Sequence, residues 1–262
     1  MPPPRAGAGL MDVQTAVGLF LLAFGVGVYG SIIGAGGGFL VVAGLVLVFD
    51  LSGATAVGTS VVTTLAIQVT GAYTYTKKGV VDRPVALWFA VGSMPVALLS
   101  AVFVADRIPE ETFELIIGVM LLALAVFVVF VRRTDVTGAA PVAPKRAALV
   151  GSGGVMGAMS GALGVGSGLI TVPLLGRLQR LPAHRAAATT TLIGSLSGLA
   201  AATGHTVAGN PRWSHLPFLL TGAVVGGRLG SSSAGRLSAT TVLSLLAAGL
   251  VLAGFPLVIA AF

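Results

Sequence analysis

Cysteine is absent from this 262-residue chain, and charged residues make up only 9% of it. The missing cysteine excludes a disulfide framework, a thiol nucleophile and any Cys-ligated metal. The missing charge excludes more. A soluble domain carries about 25% charged residues, so this chain cannot cover a water-facing surface of ordinary size. Asp and Glu together number eight and histidines three, and the one carboxylate within a long apolar run, Glu114, lies at its start. His184, His205 and His215 do not form the H-E-x-x-H pair of a zinc protease, and no G-x-x-x-x-G-K-[ST] loop for ATP occurs. The G-x-S-G of a rhomboid-type intramembrane protease is also missing. These absences argue against catalysis, a metal or a cofactor. The net charge of +7 comes from residues in short connections, with no basic face or aromatic-interleaved stripe, which argues against nucleic acid.

What is present is apolar sequence, 55% of the chain. Apolar segments fall at about 13–33, 38–49, 52–76, 84–105, 112–131, 147–166, 168–176, 186–207, 214–230 and 238–261. Several reach the roughly 20 residues that cross a bilayer as a helix, so the pattern predicts an all-α, polytopic transmembrane bundle. The N-terminal MPPPRAGAGLMDVQ before the first run has the outline of a signal peptide. The run continues into a Gly-rich stretch that recurs later, and it is read here as the first mature segment.

Two segments, 38–49 and 168–176, are too short to span as helices. Each follows a Gly-rich stretch, Gly34-Ala-Gly-Gly-Gly38 and Gly164-Val-Gly-Ser-Gly168. Glycines there can serve close helix packing or break a helical hairpin at membrane depth, where non-helical backbone is tolerated only if protein buries it or a cavity is lined by it. At least three glycines within five residues in both places, four in the first and three in the second, favour the break.

The chain repeats itself. An ungapped shift of 130 residues superimposes Gly34, Gly36 and Gly38 on Gly164, Gly166 and Gly168, Thr59 on Thr189, and Gly92 on Gly222. The organisation expected is a tail at 1–12, a first transmembrane repeat at 13–131, a cytoplasmic linker at 132–146 and a second repeat at 147–262. Charge sets the orientation. Twelve of the fifteen Lys and Arg residues lie in the stretches 77–83, 132–146, 177–185 and 228–236, which the positive-inside rule assigns to the cytoplasm. Asp50 then lies outside and its counterpart Arg180 inside, so the two repeats are inverted, each a Gly-broken hairpin plus three spanning helices. Both termini come out external on a multi-pass inner (plasma) membrane protein.

Gly34–Val42 (GAGGGFLVV), Ala56-Val-Gly-Thr-Ser60 and Tyr75-Thr-Lys-Lys-Gly-Val-Val-Asp82 resemble the TauE/SafE sulfite-exporter family, as do Gly164–Pro173 (GVGSGLITVP) and Ala186-Ala-Ala-Thr-Thr190 in the second half. The resemblance runs from about residue 15 to 260. Ala43 departs from the family proline present at Pro173. The resemblance implies a permease for sulfite, sulfonates such as sulfoacetate, or related sulfur-containing anions.

An anion inside a membrane needs compensating potential, and helix N-termini supply it through unpaired N–H groups. Gly36, Gly37 and Gly38, and Gly166, Ser167 and Gly168, stand before the short helices and are candidates for such backbone donors. The next helices begin with hydroxyl-rich runs, Thr59, Ser60, Thr63 and Thr64, and Thr189, Thr190, Thr191 and Ser195, which can donate to oxyanion oxygens, although Ser and Thr also bond back to helix carbonyls. Arg185 is a candidate substrate-attracting charge or an interfacial anchor. Gln68 lies mid-segment and fits either a packing hydrogen bond or a ligand contact. His205 reads as a surface histidine near its helix end, and Glu114 as a helix start. The partners expected are the bilayer and a small anion; oligomeric state has no signature here. A passive anion channel and a non-transporting assembly subunit are the rival functions.

The topology is directly testable because the chain has no cysteine of its own. Single cysteines at Gly79, Gly138 and Gly209 are probed with an impermeant thiol reagent in intact cells. Gly209 labels and the other two do not; the reverse pattern overturns the orientation.

Overall fold

The computed structural model describes residues 12–107, 109–132, 145–166, 168–233 and 238–262. The expected linker and N-terminal tail lie almost wholly outside them. Ten α-helices follow in order: α1 Val13–Ile33, α2 Gly38–Leu47, α3 Gly53–Lys77, α4 Arg83–Phe103, α5 Glu110–Arg132, α6 Arg146–Leu163, α7 Gly168–Leu178, α8 Ala183–Ala208, α9 Leu216–Ser233 and α10 Ala239–Ala260. A short 3-10 turn, Ala105–Arg107, precedes α5. No strand occurs among the described residues. Five helices (α1, α3, α4, α5 and α10) are long and apolar enough to cross a membrane. The others carry more Gly, Ser and Thr or are short. α5 begins at Glu110, one turn ahead of Glu114.

The helices repeat at the offset seen in the sequence. Adding 130 to the bounds of α2 and α3 reproduces those of α7 and α8 to within one residue. The backbone repeats too. Left-handed residues occur at Gly34, Gly36, Asp50 and Gly79, and again at Gly164, Gly166, Arg180 and Gly209. The remaining one, Gly37, has Ser167 as its counterpart, which lies outside the described residues. Asp50 and Arg180 occupy the same place in the same device. In each, the next N–H reaches back six residues, Leu51 to the Leu45 carbonyl at 3.1 Å and Leu181 to the Leu175 carbonyl at 3.5 Å.

Both Gly-rich stretches break the helix. α1 stops at Gly34 and α6 at Gly164, each C-capped by a left-handed glycine. α2 then doubles back along α1: Gly37 lies against Val26, Gly44 against Leu22, and Phe49 reaches Gly18. At ten and eleven residues α2 and α7 reach about 15–17 Å, half of a hydrocarbon core of about 30 Å. The chain can therefore return from membrane depth. Ala43 and Pro173 do not separate the two: α7 accommodates the proline inside its helix.

The two halves interlock. α1 packs along α9 in the same direction, with Gly222, Gly226 and Gly230 seated on the backbone of Phe20, Phe24 and Val28. α4 packs along α6 the same way, with Gly153, Gly157 and Gly161 on Phe89, Ser93 and Ala97. Glycines four residues apart let helix backbones touch where apolar lipid gives no hydrophobic drive to association, so van der Waals contact and weak Cα–H···O bonds hold the pair. α3 and α8 cross at the centre. Gly71 meets Thr191 and Leu65 meets Gly198, so these two counterparts run in opposite directions.

Gly151 and Gly153 separate packing from open surface within one helix. A methyl group at Gly151 meets nothing within 4 Å, whereas one at Gly153 strikes the Phe89 carbonyl. Gly151→Ala leaves the thermal midpoint unchanged or raised, while Gly153→Ala lowers stability by about 1–3 kcal/mol. Thermal unfolding of both variants in one detergent checks this, and equal midpoints contradict the interface.

Candidate functional site

The two breaks meet. A side chain at Gly38 would strike the Gly164 carbonyl, and one at Gly168 would strike Ala35. Gly34 lies against Ala187 of α8, and Gly164 lies against Val57, the counterpart of Ala187 in α3. Left-handed φ values of +74°, +72° and +74° at Gly34, Gly36 and Gly37, and of +64° and +83° at Gly164 and Gly166, turn each chain sharply enough for this approach. Gly36 N–H is used locally, donating to the Gly30 carbonyl at 3.1 Å. Gly37 caps α2 without a side-chain hydrogen bond. The first N–H groups of α2, like those of any helix, lack partners within it. The positive ends of α2 and α7 thus face one another at the crossing.

One face of α3 lines this crossing at one residue per turn: Ser60, Thr64 and Gln68. Ser60 donates to the Gly38 carbonyl at 2.9 Å and reaches the Gly164 carbonyl at 3.5 Å, stitching the breaks together. Thr64 and Gln68 crowd the space over Gly36. Both are buried, with 5% and 2% exposure, yet the Thr64 hydroxyl and the Gln68 amide oxygen have no hydrogen-bond partner. The hydroxyls of Ser31 and Thr190 are likewise buried and unpartnered. Thr190 is the counterpart of Ser60. An unpaired buried polar group costs about 1–3 kcal/mol, and most such groups in folded proteins find partners. Two of these, Thr64 and Gln68, sit over Gly36 and mark a place suited to a polar occupant.

The other expected site residues fall elsewhere. Thr59 and Thr189 form a matched pair of links between the halves. The Thr59 hydroxyl accepts from the Arg212 N–H at 2.8 Å, and the Thr189 hydroxyl accepts from the Asp82 N–H at 3.0 Å, again 130 residues apart at both ends. Each anchors the chain entering α9 or α4. Arg185 is half-buried in the first turn of α8, one turn before Thr189. Ser167 lies outside the described residues.

His205 is not a surface residue: it is fully buried. Its Nε2–H donates to the Gly161 carbonyl at 2.8 Å, and its Nδ1 accepts from the Asn210 amide at 3.2 Å. The carbonyl can only accept, which fixes the tautomer. The counterpart of His205 is Tyr75, whose hydroxyl donates at 2.7 Å to the carbonyl of Ser31, the counterpart of Gly161. Both carbonyls lie in the last turn before a break, where helix geometry leaves acceptors open. A donor on α3 or α8 therefore closes each broken helix end. Helical periodicity alone placed His205 near an outer end and could not show which carbonyl required it.

A duplicated bundle of this kind, with five apolar spans and two broken helices meeting across the halves, defines a polytopic helical membrane protein. The family described as "Sulfite exporter TauE/SafE" matches residues 19–257, and the chain belongs to that family. It is similar to the probable membrane transporter protein YunE of Bacillus subtilis (strain 168), 26% identical over 92% of this chain and 96% of the relative. It is also similar to the probable membrane transporter protein y4hK of Sinorhizobium fredii (strain NBRC 101917 / NGR234), 25% identical over 94% of this chain and 99% of the relative. No solved structure matches it. The family is one of membrane transporters.

The donors to the broken helix ends have a measurable worth. Tyr75→Phe and His205→Phe each leave a buried carbonyl unpaired and lower stability by about 1–3 kcal/mol. His205→Gln, which keeps a donor, recovers part of the loss. Thermal midpoints in one detergent decide; wild-type midpoints for both Phe variants contradict the role.

Proposed function

We propose that this protein carries a small sulfur-containing oxyanion, such as sulfite or a sulfonate like sulfoacetate, across the cell membrane by alternating access. The site is the crossing of the two glycine breaks. The observation that carries this reading is the buried, unpartnered Thr64 hydroxyl with the Gln68 Nε2 amide beside it, both over Gly36 where the starts of α2 and α7 meet. Neutral N–H and O–H donors suit an oxyanion without placing a permanent charge in the membrane, which the bilayer penalises. The close glycine contacts at the crossing suit a compact ion better than a long-chain substrate. The sulfur specificity comes from the family.

Two inverted halves give such a site equivalent access from either side. The antiparallel crossing of α3 and α8, together with the matched Thr59 and Thr189 links, supports this arrangement, as does the charge asymmetry of the connections. Glycines at both breaks let the contact open without large side-chain rearrangement. In this scheme Thr59 and Thr189 hold the α9 and α4 entry points during the rocking. The side-chain donors over Gly36 come from α3, because the counterparts of Thr64 and Gln68 are Gly194 and Gly198, which carry none.

Counterflow tests the proposal. Proteoliposomes loaded with unlabelled sulfite or sulfoacetate accumulate the labelled anion transiently if the protein is a carrier. A hydrogen bond to a charged group contributes about 1.5–3 kcal/mol, so Thr64→Val and Gln68→Leu each reduce exchange roughly tenfold to a hundredfold while the protein stays monodisperse. Robust flux without counterflow identifies a channel. Unchanged exchange in the Thr64→Val/Gln68→Leu double variant moves the site away from the crossing.

A further inference from the structure

A second polar feature lies on the opposite face of α3. Ser60, Thr64 and Gln68 point inward, whereas Val69, Tyr73 and Lys77 are exposed along the outside of the same helix. There α3 and α9 diverge to leave a groove of about 540 Å³. Val69 and Val224 form its apolar walls, at 51% and 46% exposure. Lys77, Lys78 and Arg228 supply its positive charge, and no carboxylate lines it. Lys78 is engaged: its Nζ donates to the Ser231 and Ser232 carbonyls at 2.9 and 3.2 Å, closing the C-terminal end of α9. Lys77 sits over the Tyr73 ring at 4.4 Å from its centroid. Thr70 and Thr74 spend their hydroxyl protons on the Ala66 and Thr70 carbonyls. The Tyr73 hydroxyl is taken up by the Lys77 ammonium beside it, and the charges of Lys77 and Arg228 remain to meet a ligand.

We propose that this groove binds one anionic glycerophospholipid, its phosphodiester between Lys77 and Arg228 and its acyl chain along Val69 and Val224. The groove pairs an apolar floor with a cationic end, the complement of a lipid with a negative headgroup. It opens outward on exposed apolar helix surface that a bilayer would cover, not inward to the glycine crossing. Tyr73 at the helix end is the kind of aromatic that settles at headgroup level. The basic connection at 77–83 places this end at the cytoplasmic leaflet, where anionic lipids concentrate and each nearby Lys or Arg strengthens attachment about fivefold. A zwitterionic lipid would bring its own cation against Lys77 and Arg228 with no carboxylate to receive it.

Native mass spectrometry of the full-length protein, released from detergent with phosphatidylglycerol or phosphatidylcholine of identical chains, tests the site. One phosphatidylglycerol is retained at least tenfold more than phosphatidylcholine, and Lys77→Gln/Arg228→Gln removes that preference. Both side chains are exposed, so the fold should tolerate the change. Should the double variant not purify, the single Lys77→Gln variant and the wild-type thermal shift with each lipid decide. Equal retention of the two lipids overturns the proposal, as does an undiminished preference in the variant. Full displacement by millimolar inorganic phosphate, with no lipid retained, would reassign the groove to a free anion.

Discussion

The structure depends on the left-handed glycine backbone at Gly34, Gly36, Gly164 and Gly166. An L-residue with a side chain is disfavoured there by about 1–2 kcal/mol. More important, any side chain at Gly34 or Gly38 would collide with backbone from the other half. These glycines end α1 and α6, start α2 and α7, and permit the two halves to touch at the break. The rest of the bundle is arranged to satisfy what the breaks leave open. Tyr75 and His205 supply donors to the last-turn carbonyls, and Ser60 joins one break to the other.

This dependence explains why polar groups accumulate in so apolar a chain. In lipid every backbone group needs an internal partner, so a broken helix requires side-chain donors close by. Two of the three tyrosines are committed to carbonyls across the fold: Tyr29 donates to the Leu245 carbonyl and Tyr75 to that of Ser31, both at 2.7 Å. The hydroxyls left without partners at the crossing are then conspicuous. No structural carbonyl claims them, and the proposed anion site rests on that.

Much of the fold was legible in sequence because its determinants are local. Apolar run length marked the helices, and glycine triplets marked the breaks. Their shared offset announced a repeat that the matched caps at Asp50 and Arg180 bear out. The site was less legible. Ser60, Thr64 and Gln68 are spaced four residues apart, and that helical face was the available signal. Attention to the repeat favoured Thr59 and Thr189 instead, and these proved to bond to backbone in the opposite half. The groups without partners, Thr64 and Gln68, are the ones the second half does not share. His205 shows the same limit, since burial depends on a carbonyl more than forty residues away in α6.

The central claim is that a small oxyanion sits where the two glycine breaks meet. Selenite, a heavier analogue of sulfite, allows it to be located by anomalous diffraction at the selenium edge in crystals of the protein. The account predicts one ordered peak between the starts of α2 and α7, within hydrogen-bond reach of Thr64 or Gln68. A transport-competent protein whose selenite is ordered only away from that crossing would contradict it.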